Sequence, residues 1–200
     1  MEKAVFFNLD GTLTTEVPYQ EITEEILLNR GVNEDNIDSW RYYELFFDRF
    51  ENLDNDPYVA AFADYIQEFD LDLNPQNLGS EYKERELNHV ESANGIFEVL
   101  DGLKHDYELG IITDGIVDLQ ERKINKIGVQ ELFSPILISY RDGGNKEELE
   151  IFKVAEEAHE KIDDYLYISH KDKDIASATN AEWKTFQGRI PKVKDASLDF

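Results

Sequence analysis

The spacing of apolar positions changes twice along the chain. At the amino terminus, Ala4-Val5-Phe6-Phe7 is an unbroken apolar run, the pattern of a buried strand, and the polar stretch ending in Gly11 predicts the sharp loop where it stops. From Thr14 to about Ser92 the spacing is helical. Ile22, Ile26 and Leu27 make one stripe, and Trp40, Tyr43, Phe47 and Phe50 make a second at i, i+3, i+7 and i+10. Tyr58, Phe62, Ile66 and Phe69 make a third, and all three stripes are expected to face a core. Pro57 after Asp54-Asn55-Asp56 signals a helix start, and Asn74-Pro75 opens a fourth helix through Tyr82 to Val90.

After Asn94-Gly95, helix and strand patterns alternate. The expected order is a short helix from Ile96 to Leu103, a strand from Tyr107 to Ile112, and a helix from Ile116 to Ile127 closed by Gly128. A short strand from Pro135 to Ser139, a helix containing Ile151-Phe152, and strands at Tyr165–Ile168 and Lys184–Phe186 follow, and Pro191 to Phe200 reads as a polar tail. Strands alternating with helices predict an α/β fold with a mostly parallel sheet covered on both faces. Residues 1–14 and 92–200 make this core, and residues 15–91 are an all-helical insert after the first strand.

Composition bounds what such a chain can do. Two hundred residues, 41% hydrophobic, suffice for one core domain plus a small insert. There is no cysteine, which excludes a disulfide framework, a thiolate metal site and a thiol nucleophile. The apolar run near Met1 is too short for a secretory signal, and no stretch approaches the roughly 18 residues of a membrane helix, so a soluble cytoplasmic protein is expected. Forty-four acidic against 20 basic residues give a net charge of -24, a field that repels nucleic acid and anionic membranes. The acidity reads as a solvated surface, with a basic protein partner as the alternative.

The candidate chemistry lies at strand ends. Asn8, Asp10 and Gly11 follow the first strand; Thr113-Asp114-Gly115 follows the second, where a hydroxyl beside a glycine turn can bond a phosphate oxygen. The same Thr and Asp also read as helix-capping residues. Lys146 opens the helix after the third strand and offers a point charge to an anion; His170 and Asp174 follow the fourth strand.

In this order, Asn8-Leu9-Asp10-Gly11-Thr12-Leu13, Thr113-Asp114-Gly115, Lys146 and Ser169 to Asp174 resemble the four motifs of the haloacid dehalogenase (HAD) superfamily. The resemblance implies a Rossmann-like core, a helical cap at residues 15–91 that selects the substrate, and phosphatase-type chemistry on a small phosphorylated molecule. It assigns the nucleophile to position 8, general acid and base to Asp10, and the phosphoryl group to Thr113 and Lys146, with Gly11 and Asp114 at the phosphate. It assigns magnesium to position 8, the carbonyl of Asp10 and position 170, with Asp174 as the second acid of the fourth motif.

The sequence departs from the family at two of these positions. Asn8 stands where the nucleophilic aspartate belongs, and His170 replaces the first acid of the fourth motif. A neutral amide is a poor nucleophile, and magnesium prefers carboxylate oxygens to an imidazole. The expectation is a phosphate or anion pocket with impaired catalysis and weak or absent magnesium binding, serving a phosphorylated metabolite, an anion or a protein partner. The alternative is an active magnesium-dependent phosphohydrolase, or a variant of one inactivated by replacing an aspartate at position 8; His170 weighs against the latter, since one substitution would suffice. The proline usual after the motif lysine is Glu147.

Overall fold

The fold was read from a computed structural model, which describes residues 2–144, 146, 149–159 and 161–194. Glu147 and most of the tail, residues 195–200, lie outside the described residues. Five parallel strands form one sheet in the order β3-β2-β1-β4-β5: β1 Glu2–Phe7, β2 Glu108–Thr113, β3 Ile136–Ile138, β4 Ile162–Ser169 and β5 Lys184–Gln187. The expected α/β architecture with a parallel sheet is therefore the observed one.

Why β1 is central follows from its side chains. Ala4 to Phe7 are fully buried, and a strand covered on both faces cannot alternate apolar with polar residues. Phe6 packs among His159, Tyr165 and Trp183, while Phe7 meets Phe133. The close approach has a sequence signature: Gly110 pairs with Phe6 across the ladder, and a Cβ at Gly110 would lie 2.2 Å from the Phe6 ring. In register, Phe7 lies beside Ile111 on one side and Ile168 on the other. The carboxyl ends of β1, β2 and β4 therefore open at one edge, and the order reverses between β1 and β4, where open α/β sheets take ligands.

The remaining core helices are α5 Ile96–Leu103, α6 Val117–Ile127, α7 Ser139–Asp142, α8 Glu150–Glu157, α9 Asp172–Asn180 and α10 Ile190–Lys194. Element boundaries shift from expectation, two of them instructively. β4 starts at Ile162, three residues before Tyr165; β3 stops at Ile138, because the Asp142 carboxylate accepts the Ile138 N–H at 2.8 Å and starts α7 at Ser139. The segment expected as a polar tail from Pro191 is not polar throughout, since Val193 of α10 is buried.

The chain divides into two units, residues 1–16 with 90–200, and residues 17–89. The second is helical: α1 Tyr19–Leu28, α2 Ser39–Glu51, α3 Pro57–Glu68 and α4 Pro75–His89. Side chains of Asp38, Asp56 and Asn74 accept backbone N–H groups at the starts of α2, α3 and α4, and Pro57 occupies a first-turn position where its missing N–H costs nothing.

One stripe is corrected. α2 turns Tyr42, 1% exposed, into the unit's core, where it stacks at 4.1 Å on Phe62 and 5.3 Å from Tyr82, while Trp40 is 63% and Phe47 38% exposed. Trp40, Tyr43, Phe47 and Phe50 instead form an edge-to-face row on a second face of α2, at 5.9, 4.5 and 6.4 Å, with Tyr43 and Phe50 half-buried. The helix carries aromatic residues on two faces, so spacing alone fits either register. On α3, Tyr58 and Phe62 are buried as expected, whereas Ile66 and Phe69 are half-buried beside the deeper Ala61 and Tyr65.

Candidate functional site

The site begins where β1 ends. Asn8 extends the pairing with β4 by one bond, its N–H donating to Ile168 at 2.9 Å, so its side chain is fixed by the sheet. That side chain is buried, and both ends of the amide are engaged: Oδ1 accepts from Lys146 Nζ at 3.0 Å, and Nδ2 donates to the Asp10 carbonyl at 2.9 Å. The reverse orientation would set an NH₂ group against an ammonium, so chemistry fixes the flip. The following turn, Leu9 to Leu13, is closed by Thr14 N–H donating to the Leu9 carbonyl at 3.1 Å. Gly11 takes φ +74°, and its amide donates to Thr14 Oγ1 at 3.0 Å. Gly11 thus brings its backbone to the turn, and its amide is already engaged there.

Asp10 points its carboxylate at α6. Oδ1 accepts from Lys123 Nζ and Oδ2 from Gln120 Nε2, each at 2.9 Å. Burial pushes its carboxyl up, but Lys123 and Lys171 outweigh burial and hold it below the ordinary carboxylate value. At the end of β2, Thr113 Oγ1 accepts from Gln120 Nε2 at 2.7 Å, and Asp114 faces Lys146: their side chains lie 3.3 Å apart.

Lys146 is the hub. Besides Asn8 and Asp114, its ammonium donates to Asp174 Oδ2 at 3.1 Å. Burial alone would drive the lysine down; Asp114 and then Asp174 reverse this and raise it well above its ordinary value. Asp174, on the first turn of α9, also accepts from Ser169 Oγ at 2.7 Å, and Lys146 and Lys171 hold its carboxyl low despite burial. Asn8, Asp10, Thr113, Asp114, Lys146 and Asp174 are thus joined in one polar network.

His170 sits to one side of it. Its ring covers Gly11, where a Cβ would come within 2.4 Å of the imidazole, and Nδ1 lies 3.2 Å from Thr12 Oγ1. Burial, then Lys171 and Arg189, push the imidazole below its ordinary value, so it is neutral near pH 7.

This donor set does not suit a hard divalent cation. The Asn8 oxygen serves an ammonium, the Asn8 NH₂ takes the Asp10 carbonyl, Asp174 is bonded to Lys146 and Ser169, and His170 offers nitrogen. Among the described residues no group of three or more His, Asp or Glu side chains is placed to hold a metal ion. The residues that motif reading missed are Gln120 and Lys123, and Ser169, though inside the fourth motif, had no role assigned to it. Their signal was available in part: Gln120 and Lys123 are polar yet fall on the inward stripe of α6 with Leu119, Ile124 and Ile127.

Residues 5–187 match the family described as haloacid dehalogenase-like hydrolase. The chain is similar to the glyceraldehyde 3-phosphate phosphatase of Pyrococcus furiosus, with 28% identity over 99% of this chain and 85% of the relative. The enzyme of that name from Methanopyrus kandleri is 25% identical over 98% of this chain and 87% of its own. A solved structure of similar fold is the HAD-hydrolase YfnB of Bacillus subtilis bound to magnesium, with TM-score 0.73 and 17% identity over 92% of this chain and 87% of that one.

Proposed function

The chain belongs to the haloacid dehalogenase-like hydrolase family, and on that premise we propose that its strand-end site binds a phosphate group or a small phosphorylated molecule without forming an aspartyl phosphate. The observation that carries this reading is the engagement of Asn8 between Lys146 and the Asp10 carbonyl. In-line attack on phosphorus needs an anionic oxygen, and position 8 offers an amide oxygen that is neutral and already accepts an ammonium proton. Thr113, whose hydroxyl proton has only a distant acceptor, is the donor to the anion in this reading, Lys146, its ammonium shared among Asn8, Asp114 and Asp174, supplies positive charge beside it, and Asp10, held ionised by Lys123, keeps an orienting role with no intermediate to hydrolyse. Residues 15–91 take the place of the family's cap in chain order, and magnesium has no part in this reading.

The relatives named as phosphatases favour the alternative, an active phosphohydrolase on a small phosphorylated metabolite. One assay separates the two. The purified chain is incubated with glyceraldehyde 3-phosphate, other sugar phosphates, nucleotides and an aryl phosphate, with Mg²⁺ and then Mn²⁺ or Co²⁺. The expected result is no phosphate release, together with a saturable rise in unfolding temperature on adding inorganic phosphate. Turnover at about 1 to 10³ per second, the ordinary enzymatic range, would overturn the reading.

A further inference from the structure

α6 reaches both halves of the site, and the motif pattern gives this helix no part. Gln120 and Lys123 sit one turn apart on it, each 2% exposed. Lys123 bonds Asp10 Oδ1, while the Gln120 amide nitrogen reaches Asp10 Oδ2, Thr113 Oγ1 and, at 3.1 Å, the Asp114 carbonyl. Gly115 makes room for this: at φ +149° it lies against Gln120, and a Cβ there would come within 2.7 Å of that side chain.

Two chemical consequences follow. An NH₂ group donates, so Thr113 Oγ1 is the acceptor toward Gln120 and its own proton is left to donate. Inside the protein that proton meets the Asp114 carbonyl at 3.5 Å, too long for a good bond, so a nearer acceptor would be preferred. Lys123 meanwhile cancels the charge of Asp10, which would otherwise repel an anion at the same strand ends.

We infer that Gln120 and Lys123 are the positioning residues of the anion pocket: Gln120 sets the Thr113 hydroxyl as a donor and Lys123 neutralises Asp10, so the pocket takes an oxyanion that presents an acceptor oxygen to Thr113. The inference rests on the proposed anion binding and names what makes it selective. The plainer role for both residues is to brace two loops. The two roles differ in what a charge-compensating change does.

Inorganic phosphate binding is measured by titration calorimetry at fixed ionic strength, with thermal unfolding in parallel. Lys123→Met leaves the Asp10 carboxylate without its ammonium partner, bonded only to Gln120, and is expected to weaken phosphate binding at least about tenfold. Asp10→Asn in the Lys123→Met background removes the stranded charge and is expected to bring the affinity back to within about threefold of wild type. Gln120→Glu, which replaces the donor beside Thr113 with an acceptor, is expected to lose about tenfold or more. If Lys123→Met alone does not fold, the charge-compensated double variant and Lys123→Arg, expected within about threefold of wild type, still decide the question. Unchanged affinity in folded Lys123→Met, or a double variant no better than the single one, overturns the inference while leaving the anion site standing. Absence of phosphate binding by the wild-type chain overturns the anion site itself and this inference with it.

Discussion

A methyl group on Gly11 would meet the His170 ring at 2.4 Å, and φ +74° disfavours any side chain there before the clash is counted. The two effects are separable. Gly11→Ala is expected to cost about 1–2 kcal/mol for the left-handed backbone and about 1–3 kcal/mol more for overpacking, measured by urea unfolding. His170→Ala in the same background should return the overpacking part and none of the backbone part. His170 also gives a pH signature. Its folded value is depressed, so the unfolded chain takes up the proton first as pH falls. Stability that is present above the unfolded value of about 6.5 is therefore lost as pH falls from there toward the lower folded value. The unfolding midpoint should fall between pH 7.5 and 5.5 in wild type and fall less in His170→Ala; equal slopes would remove His170 from the account. Below about pH 4 a second loss is expected, because Asp10 and Asp174 are both held low and their contribution disappears as they are protonated.

At the level of elements, α2 is where the pattern of apolar residues is least informative and most testable. Tyr42 fills the inner face, yet its hydroxyl has no hydrogen-bond partner among the described residues. Tyr42→Ala should cost about 3–5 kcal/mol, whereas Tyr42→Phe should be neutral or stabilising, since it deletes a buried group with no bond to lose. Trp40→Ala, on the second face, should stay within about 0.5 kcal/mol, and the reverse ranking of Tyr42 and Trp40 would restore the register that spacing first predicts. The order of strands and helices was legible because a parallel core demands unbroken apolar strands and amphipathic helices. The same topology makes strand ends neighbours, which is why Asn8, Thr113 and Asp174, far apart in sequence, could be expected together. Gln120 and Lys123 could not be placed: a buried polar residue on a helix is defined by its partner, here Asp10, more than a hundred positions away. The face of α2 was hidden for a related reason, since aromatic residues on both sides satisfy one period twice.

For the whole molecule the dominant quantity is the charge of -24. Several arginines each already pair with two acids, Arg41 with Glu44 and Glu68, and Arg85 with Glu25 and Glu81. The acidic excess therefore remains as self-repulsion of the folded state. Salt screens it: the Debye length falls from about 10 Å at 0.1 M to about 3 Å at 1 M. Unfolding temperature should rise with sodium chloride by about 2–4 °C for each kcal/mol of repulsion removed, in a curve that keeps climbing as the screening length shortens. Sodium phosphate at matched ionic strength should add to this a second component that saturates, because a bound anion stabilises the native state by mass action. The difference between the two salts then isolates the pocket from the field around it. A flat or falling response to chloride would mean that the acidic surface is spread widely enough not to strain the fold. Coincident chloride and phosphate curves would leave Lys146 and Thr113 without an anion to hold.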